Sequence, residues 1–313
     1  MFESILPRRA SSVSSYSWVP SPMVSEGGEQ HLEGVSVVIA TLGGTTLQWT
    51  IESVNKGSVV PKEILICIPE EANFCPQFSL APNVKIVPTA TKGQVAQRAM
   101  GFRRAKCDLV LQLDDDMFVD TNCIERLVAI IQKEKKIAVG PALLDRATNA
   151  SVYKQARLGT MAHTIYHWLM NGAKGYRPGE ISKAGDAVGI DTEVVRVEQS
   201  EVEWLAGGCM MQRRENLILE DFYPYTGKAY CEDLIHSHHI RAQGTKLIVA
   251  TTARCTFDLV SSADAGWRVF LRELYADFKA RRYFMRLSGR GLARMYLFYA
   301  IRMVSYAVKV ILR

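Results

Sequence analysis

Short apolar runs alternate with segments of helical periodicity in the first half of the chain, and this alternation is the strongest constraint on its fold. The run of branched aliphatic residues at 35–40 predicts a strand that is buried on both faces of a sheet, and the apolar runs at 63–68, 84–89 and 107–113 predict three more strands. Between and after these runs, apolar residues recur every three or four positions, which predicts amphipathic helices. The sequence therefore predicts an α/β fold with a mostly parallel sheet flanked by helices. The helical positions are Leu47, Ile51, Val54, Val95, Ala99, Phe102, Ile124, Leu127, Val128 and Ile131.

The composition indicates a folded domain that needs no covalent cross-links. The chain has 313 residues, of which 48% are hydrophobic, which is enough for a large domain with its own core. Its seven cysteines are scattered and include no CxxC pair, so we expect neither a disulfide framework nor a zinc site. A reducing, cytoplasmic setting fits this pattern. The Ser- and Pro-rich residues 1–33 lack an apolar signal core and predict a flexible extension.

Three consecutive aspartates, residues 114–116 (the acidic triplet), follow the strand predicted at 107–113. In an extended segment Asp114 and Asp116 point to one side and Asp115 to the other. Two carboxylates about 6 Å apart repel by roughly 3 kcal/mol at an effective dielectric constant near 20, which favours a bound divalent cation or raised pKa values. Oxygen ligands at the carboxyl end of a parallel strand predict a metal site that faces the substrate crevice. The alternative is a solvated acidic turn that caps a helix beginning near Thr121.

Four segments with glycine and charged residues follow one another in the chain. "VSVVIATLGG" joins the first strand to a Gly-rich loop, and "TKGQVAQRAMGFRRAKCDLVLQLDDD" joins a helix to the acidic triplet. "WLAGGCMMQRREN" is a Gly-rich strand that ends in an Arg pair, and "YCEDLIHSHHIRAQG" reads as a helix with an acidic start. In this order and at these spacings the segments resemble the family-2 glycosyltransferases, nucleotide-sugar-dependent enzymes of the GT-A fold. The resemblance covers about residues 34–258.

The resemblance implies a role for each matched residue. Asp114 and Asp115 would lie near the ribose and diphosphate of the donor, and Asp116 would coordinate Mg²⁺ or Mn²⁺, with Asp114 and Asp258 as further metal ligands. Asp233 would be the general base of an inverting transfer, distinct from the acidic triplet because a metal-bound carboxylate is a poor proton acceptor. The other implied donor-binding residues are Ala40, Thr41, Leu42, Glu70, Gly93 and Arg98, and the implied acceptor-side residues are Trp204, Gly207, Gly208 and Glu232.

Two departures from the family pattern affect these assignments. Ile68 and Pro69 stand where relatives often have an Asp pair that reads the nucleotide base, so Glu70 is the substitute we consider and the base is not assigned. Asp258 stands near the position where many relatives place a metal-binding His. Arg98 either holds the donor phosphates or pairs with an aspartate, and a solvated helix position is the alternative.

Several other side chains have a structural interpretation beside the functional one. Glu232 and Asp233 suit a helix N-terminus even without catalysis, because acidic groups there face the positive end of the helix dipole. The histidines at 236, 238 and 239 form a weak candidate for a metal cluster because no cysteine supports them. Trp168, Tyr176 and Trp204 are candidates for stacking on a sugar ring, but each also suits a hydrophobic core.

The positive charge of the chain is concentrated at its C-terminal end. Residues 267–313 contain 11 Lys and Arg and 2 acidic residues, a net of +9, so the remainder carries +6 − 9 = −3. On a helix, Arg290, Arg294, Arg302 and Lys309 fall in one sector, and apolar residues lie largely opposite. We predict that residues 261–313 form a basic amphipathic helical region that lies on an anionic membrane surface without crossing it. The alternative is a helix that packs on the domain. The apolar residues are Met295, Leu297, Phe298, Ile301, Val304 and Val308.

These observations predict a metal-dependent, inverting glycosyltransferase with a GT-A domain at 34–260. Residues 34–141 would bind the nucleotide sugar and residues 142–260 the acceptor, a lipid-linked molecule or an envelope glycan. We expect peripheral membrane association and no nucleic-acid partner. A sugar nucleotidyltransferase is the alternative enzyme, but the N-terminal region lacks a Gly-rich phosphate loop with Lys. A non-catalytic scaffold that binds membrane or glycan is the other alternative. A dehydrogenase is excluded because "ATLGGTT" lacks the spaced glycines of a dinucleotide fingerprint.

Overall fold

The structure, a computed structural model, describes residues 32–72, 74, 76, 78–154, 158–259 and 266–311. Residues 1–31, which make up most of the predicted flexible extension, lie outside the described residues, as do residues 261–265 at the start of the predicted C-terminal region. The first strand begins at Leu32, two residues before the predicted start of the domain.

One mixed sheet organises the described part of the chain. Its strands are β1 (Leu32–Ala40), β2 (Glu63–Pro69), β3 (Val84–Thr89), β4 (Cys107–Asp114), β5 (Phe118–Val119), β6 (Ile137–Asp145), β7 (Gln199–Val202), β8 (Cys209–Arg213) and β9 (Lys246–Phe257). The spatial order is β3-β2-β1-β4-β8-β6-β9-β5, with β7 paired to β9. Strands β1, β2, β3, β4, β6 and β9 run in one direction, and β5, β7 and β8 run against them. The predicted mostly parallel sheet is confirmed, and all four predicted strands are present.

The helices follow the predicted apolar periodicity. They are α1 (Leu47–Asn55), α2 (Gln94–Arg104), α3 (Cys123–Ile131), α4 (Met161–Asn171), α5 (Glu232–Ala242), α6 (Trp267–Leu287) and α7 (Ala293–Ile311). All the predicted core positions of α1, α2 and α3 are buried except Val128, which is partly buried. Single 3₁₀ turns lie at Glu70–Ala72, Gly172–Lys174 and Arg214–Asn216.

Strand β1 is buried on both faces because helices cover both sides of the sheet. Val37 and Ile39 belong to a core that includes residues of α1 and α3, whereas Val38 belongs to a second core with Phe102 of α2. Gly101 allows α2 to approach the sheet closely, since a Cβ atom there would overlap the Val38 side chain. The two-sided burial explains why β1 reads as a continuous apolar run.

Helix α2 is tied to the carboxyl ends of the two strands beneath it. The Gln97 side chain, which is buried, donates hydrogen bonds to the carbonyl oxygens of Thr41 (2.8 Å) and Cys67 (2.7 Å). One side chain thereby binds the carbonyl groups of the residue after β1 and of Cys67 near the end of β2. The contact fixes the first turns of α2 at the edge of the sheet where the acidic triplet emerges.

The C-terminal helices pack on the acceptor-side half of the predicted domain. Leu234 of α5, Leu274 and Phe284 of α6, and Met295 and Phe298 of α7 share one apolar core. Helix α7 also contacts α4. None of the helices within the described ranges combines the length and apolar character that crossing a membrane requires.

Candidate functional site

A cleft of about 730 Å³ opens at the carboxyl ends of β1 and β4. The two strands are neighbours in parallel register, with Ala40 opposite Asp114, so the segments that follow them meet at the same edge of the sheet. The cleft lining includes most of the predicted donor-binding residues together with a loop at 226–229. The lining residues are Ala40, Thr41, Leu42, Gly44, Lys92, Gly93, Gln94, Gln97, Asp114, Asp115, Asp116, Thr226, Gly227, Lys228 and Ala229.

The acidic triplet is split between a strand end and a turn. Strand β4 ends at Asp114, and Asp115 and Asp116 form the turn that follows. The alternation predicted for a fully extended triplet is therefore wrong beyond Asp114, because the backbone turns before the third aspartate. The three carboxylates nevertheless line one cleft.

Asp115 joins the acidic triplet to the loop after β1. Its carboxylate accepts a short hydrogen bond from the Thr41 hydroxyl, and its backbone oxygen accepts one from the Thr50 hydroxyl at 2.9 Å. A Cβ atom on Gly44 would lie 3.2 Å from the Asp115 carboxylate, so glycine suits this close approach. Burial and then the charge of Asp114 raise the pKa of Asp115 above its usual value.

Arg98 of α2 bridges the acidic triplet and the start of α5. One guanidinium nitrogen lies 2.5 Å from Asp114 Oδ1, and the other lies 2.9 Å from Glu232 Oε1. The side chain of Asp114 also accepts a hydrogen bond from Gln94 at 2.9 Å. Arg98 is only 2% exposed, and burial would favour its neutral form, but the two carboxylates outweigh burial and raise its pKa. Arg98 was predicted either to hold the donor phosphates or to pair with an aspartate, and the structure contains the pairing with an aspartate.

The two glycines before β8 make room for these acids. A Cβ atom on Gly207 would lie 2.6 Å from Glu232 Oε2, and one on Gly208 would lie 3.2 Å from Asp114 Oδ2 and would overlap Met117. The Gly207 carbonyl oxygen also accepts a short hydrogen bond from Gln112 of β4. The Gly-Gly pair therefore allows β8 to lie against the bridge that Arg98 makes.

Asp116 is the exposed member of the acidic triplet, and Asp258 approaches it from another strand. Phe118, just after the triplet, pairs with Thr256 of β9, which brings the residues after β9 to the same edge of the sheet. Burial, then Asp114 and Asp115, and also Asp258, raise the pKa of Asp116. Asp258 forms an ion pair with Arg146 at 3.4 Å. Within the ranges that the structure describes, Asp116 has no cationic side-chain partner.

The acidic edge of the cleft suits a divalent cation that is held only partly by the protein. The available ligands are carboxylate oxygens, which Mg²⁺ and Mn²⁺ prefer. Among the described residues, no three His, Cys, Asp or Glu side chains are grouped so that they could hold a metal by themselves. Mg²⁺ is commonly bound by one or two carboxylates with substrate phosphates and water. The site therefore fits a metal that binds together with a diphosphate.

Asp233 lies in the first turn of α5, next to the Glu232 that pairs with Arg98. Burial and then the charge of Glu232 raise the pKa of Asp233 to about 7. Burial and the neighbouring charge of Asp233 in turn raise the pKa of Tyr153. A carboxyl group with this pKa exchanges a proton readily near neutral pH, as a general base requires.

Cys231, directly before these acids, has a left-handed backbone with φ of 53° and ψ of 18°. Residues other than glycine rarely adopt this conformation, which costs on the order of 1 kcal/mol. Local contacts must therefore hold the start of α5 in place.

Trp204 and Glu70 do not belong to the cleft lining. Trp204 is 7% exposed, donates a hydrogen bond from its indole nitrogen to the Val188 carbonyl oxygen (3.2 Å) and packs edge-on against Tyr153. This burial favours the core interpretation that the sequence also allowed, and its acceptor-side role stays a prediction. Glu70 lies in the turn after β2 and is not part of the cleft lining, so its role stays a prediction.

The remaining aromatic and histidine candidates fall into two groups. Trp168 on α4 is 57% exposed, whereas Tyr176 contacts the rings of His163 and His167. His236 is fully buried and stacks on Phe222, and burial followed by the charge of Arg98 lowers its pKa to about 3. A histidine with these surroundings serves the packing of α5.

No role was predicted from the sequence for three residues of the site. Lys92 and Lys228 supply positive charge to the cleft lining, and Tyr153 lies beside Asp233. Lys92 could have been found as the cation directly before Gly93, the residue that precedes α2. Lys228 and Tyr153 belong to irregular segments whose position depends on the tertiary fold.

A family model described as "Glycosyl transferase family 2" matches residues 36–217, more than half of the chain. The chain belongs to glycosyl transferase family 2. Among solved structures it is similar to a crystal structure of GalNAc-T7 with UDP, GalNAc and Mn²⁺, at 19% sequence identity and a TM-score of 0.51. The match covers 73% of this chain and 44% of that chain, so the family-2 chain spans less than half the length of that protein. The likeness shows a shared GT-A fold. No curated protein matches the sequence.

The Gly207→Ala variant tests the packing of the bridge. The added methyl group would meet the Glu232 carboxylate, which Arg98 holds in place, so we expect a loss of about 1–3 kcal/mol in the free energy of unfolding. Gly291→Ala is the matched control, because a Cβ atom there meets nothing within 4 Å. Urea denaturation of both variants measures the difference. Equal stabilities would show that Glu232 is not confined as described.

Proposed function

We propose that this protein is a metal-dependent, inverting glycosyltransferase that moves a sugar from a nucleotide-sugar donor to a hydroxyl group of a lipid-linked or envelope-glycan acceptor. One observation carries the proposal. The acidic triplet lines a cleft at the carboxyl ends of β1 and β4, and Arg98 links it directly to the helix start that holds Asp233. Membership of family 2 and the GT-A fold support glycosyl transfer.

The donor is proposed to bind along the triplet side of the cleft. Asp115, fixed by the Thr41 hydroxyl, is placed to accept hydrogen bonds from a ribose. Lys92 and Lys228 line the same cleft, where their ammonium groups would attract the diphosphate. Asp114 is already engaged by Arg98 and Gln94, which leaves Asp116 as the triplet carboxylate best placed for a metal, with Asp258 nearby. The solved GalNAc-T7 complex contains Mn²⁺.

A metal held by Asp116 would supply Lewis-acid stabilisation of the charge that develops on the departing nucleotide. The chain's own residues would hold the diphosphate in the same region, since the acidic triplet and the two lysines face one cleft. Burial and, after it, the neighbouring carboxylates raise the pKa values of Asp115 and Asp116, and a bound cation would offset this negative charge. Mg²⁺ and Mn²⁺ both fit this ligand chemistry.

Asp233 is proposed to remove the proton from the acceptor hydroxyl as its oxygen attacks the anomeric carbon. It belongs to a different segment from the acidic triplet, and its pKa of about 7 makes it partly ionised at neutral pH. Attack by the acceptor on the face opposite the leaving nucleotide inverts the anomeric configuration. In this proposal residues 34–141 contribute most of the donor side and residues 142–260 contribute the acceptor side.

Replacing Asp233 by Asn tests the catalytic assignment. An amide cannot accept the proton, so we expect kcat to fall by about 10²- to 10⁴-fold while the donor still binds. In the wild type, kcat/KM should fall as the pH drops below about 7, because protonation of Asp233 removes the base. The assays are nucleotide release with a panel of acceptors and donor binding by calorimetry.

Asp221→Asn is the control for this test, because Asp221 is exposed and outside the cleft lining. Full turnover by the Asp233→Asn variant would exclude Asp233 as the base. Absence of sugar transfer by the wild type with every donor and acceptor would favour a scaffold. Release of pyrophosphate from a nucleoside triphosphate would instead favour a nucleotidyltransferase.

We further propose that the protein associates with the cytoplasmic surface of a membrane through α7. The outward face of this helix is apolar, with Tyr296, Leu297, Val304 and Val308 all exposed and Val304 exposed to 63%. An exposed apolar helix face of this kind suits insertion into the boundary between lipid head groups and acyl chains. A membrane-bound enzyme of this type would meet an acceptor that is itself anchored in the membrane.

Three of the four basic residues predicted to share one sector of this region interact with groups of the domain. Arg294 donates hydrogen bonds to the carbonyl oxygens of Trp168 (3.0 Å) and Leu169, and Arg302 pairs with Asp277 at 3.0 Å. Arg290 pairs with Glu203 at 3.4 Å. Acidic and carbonyl groups of the domain therefore hold Arg290, Arg294 and Arg302, whereas Lys309 is exposed. Docking would therefore depend mainly on apolar contact.

The double variant Val304→Asp/Val308→Asp tests this docking. Each valine that no longer enters the lipid boundary removes about 1.5 kcal/mol or more of apolar transfer energy, so vesicle binding should weaken at least roughly tenfold. Co-sedimentation with vesicles of phosphatidylcholine and phosphatidylglycerol measures it. Val60→Asp is the control, because Val60 is equally exposed on another part of the surface. Unchanged sedimentation of the double variant would rule out α7 as the docking element.

A further inference from the structure

The buried carboxylate of Asp277 on α6 accepts hydrogen bonds from residues of α6 and α7 and from the residue that precedes α5. Asp277 Oδ1 accepts hydrogen bonds from Arg281 (3.2 Å) and from the Cys231 thiol (3.3 Å). Asp277 Oδ2 accepts hydrogen bonds from the Tyr299 hydroxyl (2.7 Å) and from Arg302 (3.0 Å). Tyr299 and Arg302 belong to α7, and Cys231 is the residue from which α5 begins. We call these five residues the Asp277 cluster.

The Asp277 cluster is satisfied as a unit. Burial alone would raise the pKa of Asp277, but Arg281, Tyr299 and Arg302 together hold it below its usual value. Arg281 also donates to the Tyr299 hydroxyl at 3.1 Å and to the Gly185 carbonyl oxygen. A buried ionic cluster with its hydrogen bonds complete fixes the position of its members more strictly than apolar packing does.

One member of the cluster adjoins the proposed catalytic base. Cys231 is held in the left-handed conformation, and the next two residues are Glu232, which pairs with Arg98, and Asp233. The start of α5 is therefore fixed from two sides. Arg98 holds it from the donor side through Glu232, and Asp277 holds it from the C-terminal helices through Cys231.

The helix that completes the cluster also carries the exposed apolar face. Tyr299 and Arg302 point inward to Asp277, whereas Val304 and Val308 are exposed. Any interaction that orders the outward face of α7 would also order the two groups that hold Asp277. The cluster thus connects the proposed docking helix to the segment that carries Asp233.

We propose that Asp277 is a positioning residue that aims Asp233 by holding Cys231 in its left-handed conformation, and that α7 contributes to this positioning through Tyr299 and Arg302. The inference rests on the proposed function, because it assigns to Asp233 the role of base. Asp277 does not contact the cleft and acts only through the start of α5.

The test compares Asp277→Asn and Tyr299→Phe with the control Glu273→Gln, which changes a carboxylate on the same helix outside the cluster. Misplacing a catalytic group by about 1 Å lowers turnover by up to roughly 100-fold, so Asp277→Asn should lower kcat about 10- to 100-fold with donor KM nearly unchanged. Tyr299→Phe should lower kcat in the same direction to a smaller extent. Glu273→Gln should match the wild type.

Adding Cys231→Gly to Asp277→Asn provides a rescue experiment. Glycine adopts positive φ angles freely and no longer needs Asp277 to hold it, so the double variant should recover part of the lost kcat. A purely structural role for Asp277 predicts no recovery, and kcat and donor KM would then change together with thermal stability. That result, or an unchanged kcat in Asp277→Asn, would overturn the proposal.

Alkylation of Cys231 by iodoacetamide, followed by peptide mass spectrometry, tests the contact independently of catalysis. Removing the Asp277 charge frees the thiol and favours its thiolate, so Cys231 should be alkylated several times faster in Asp277→Asn than in Glu273→Gln. Equal rates would overturn the proposal. If the wild type transfers no sugar but the rates differ, the Cys231 contact is supported and glycosyl transfer is the part that fails.

Discussion

The buried guanidinium of Arg98 is the interaction on which the rest of this site depends. It pairs with Asp114 on the donor side and with Glu232 at the start of α5, and both glycines before β8 leave space for these carboxylates. Removing one partner from a buried ion pair typically costs about 3–5 kcal/mol, because the remaining charge is left uncompensated. The bridge therefore fixes the distance between the donor side of the cleft and the proposed base.

The C-terminal helices extend this constraint away from the cleft. Asp277 holds the residue before Glu232, so the two acids at the start of α5 lie between a bridge on one side and an ionic cluster on the other. The same cluster holds Arg302 of α7 against the domain, while Met295 and Phe298 are buried and Val304 and Val308 are exposed. Ion pairing and packing within the domain thus determine which apolar residues of α7 stay exposed.

The sheet and its helices could be predicted because the spacing of apolar residues along the chain indicates which positions of a strand or helix are buried. Continuous apolar runs specified β1 to β4, and the acidic triplet marked the edge where the cleft forms. The orientation of α7 could not be predicted, since helical periodicity shows which residues share a face and not which face turns inward. The burial of Trp204 could not be decided from the sequence for a related reason, because its neighbours Tyr153 and Val188 are distant in sequence. Lys228 entered the site through a loop that has no periodic pattern.

The central claim is that the acidic triplet binds a nucleotide-sugar diphosphate together with a divalent cation. Thermal unfolding of the wild type and of Asp116→Asn, with UDP-, GDP-, dTDP- and CMP-sugars in the presence and absence of Mn²⁺, tests it most directly. A ligand that binds only the native state raises Tm, and the increase grows as the ligand concentration exceeds Kd. We expect at least one donor to raise the Tm of the wild type only when Mn²⁺ is present, and Asp116→Asn to lose this increase. A donor-induced increase that needs neither Mn²⁺ nor Asp116, or no increase with any donor, would contradict it.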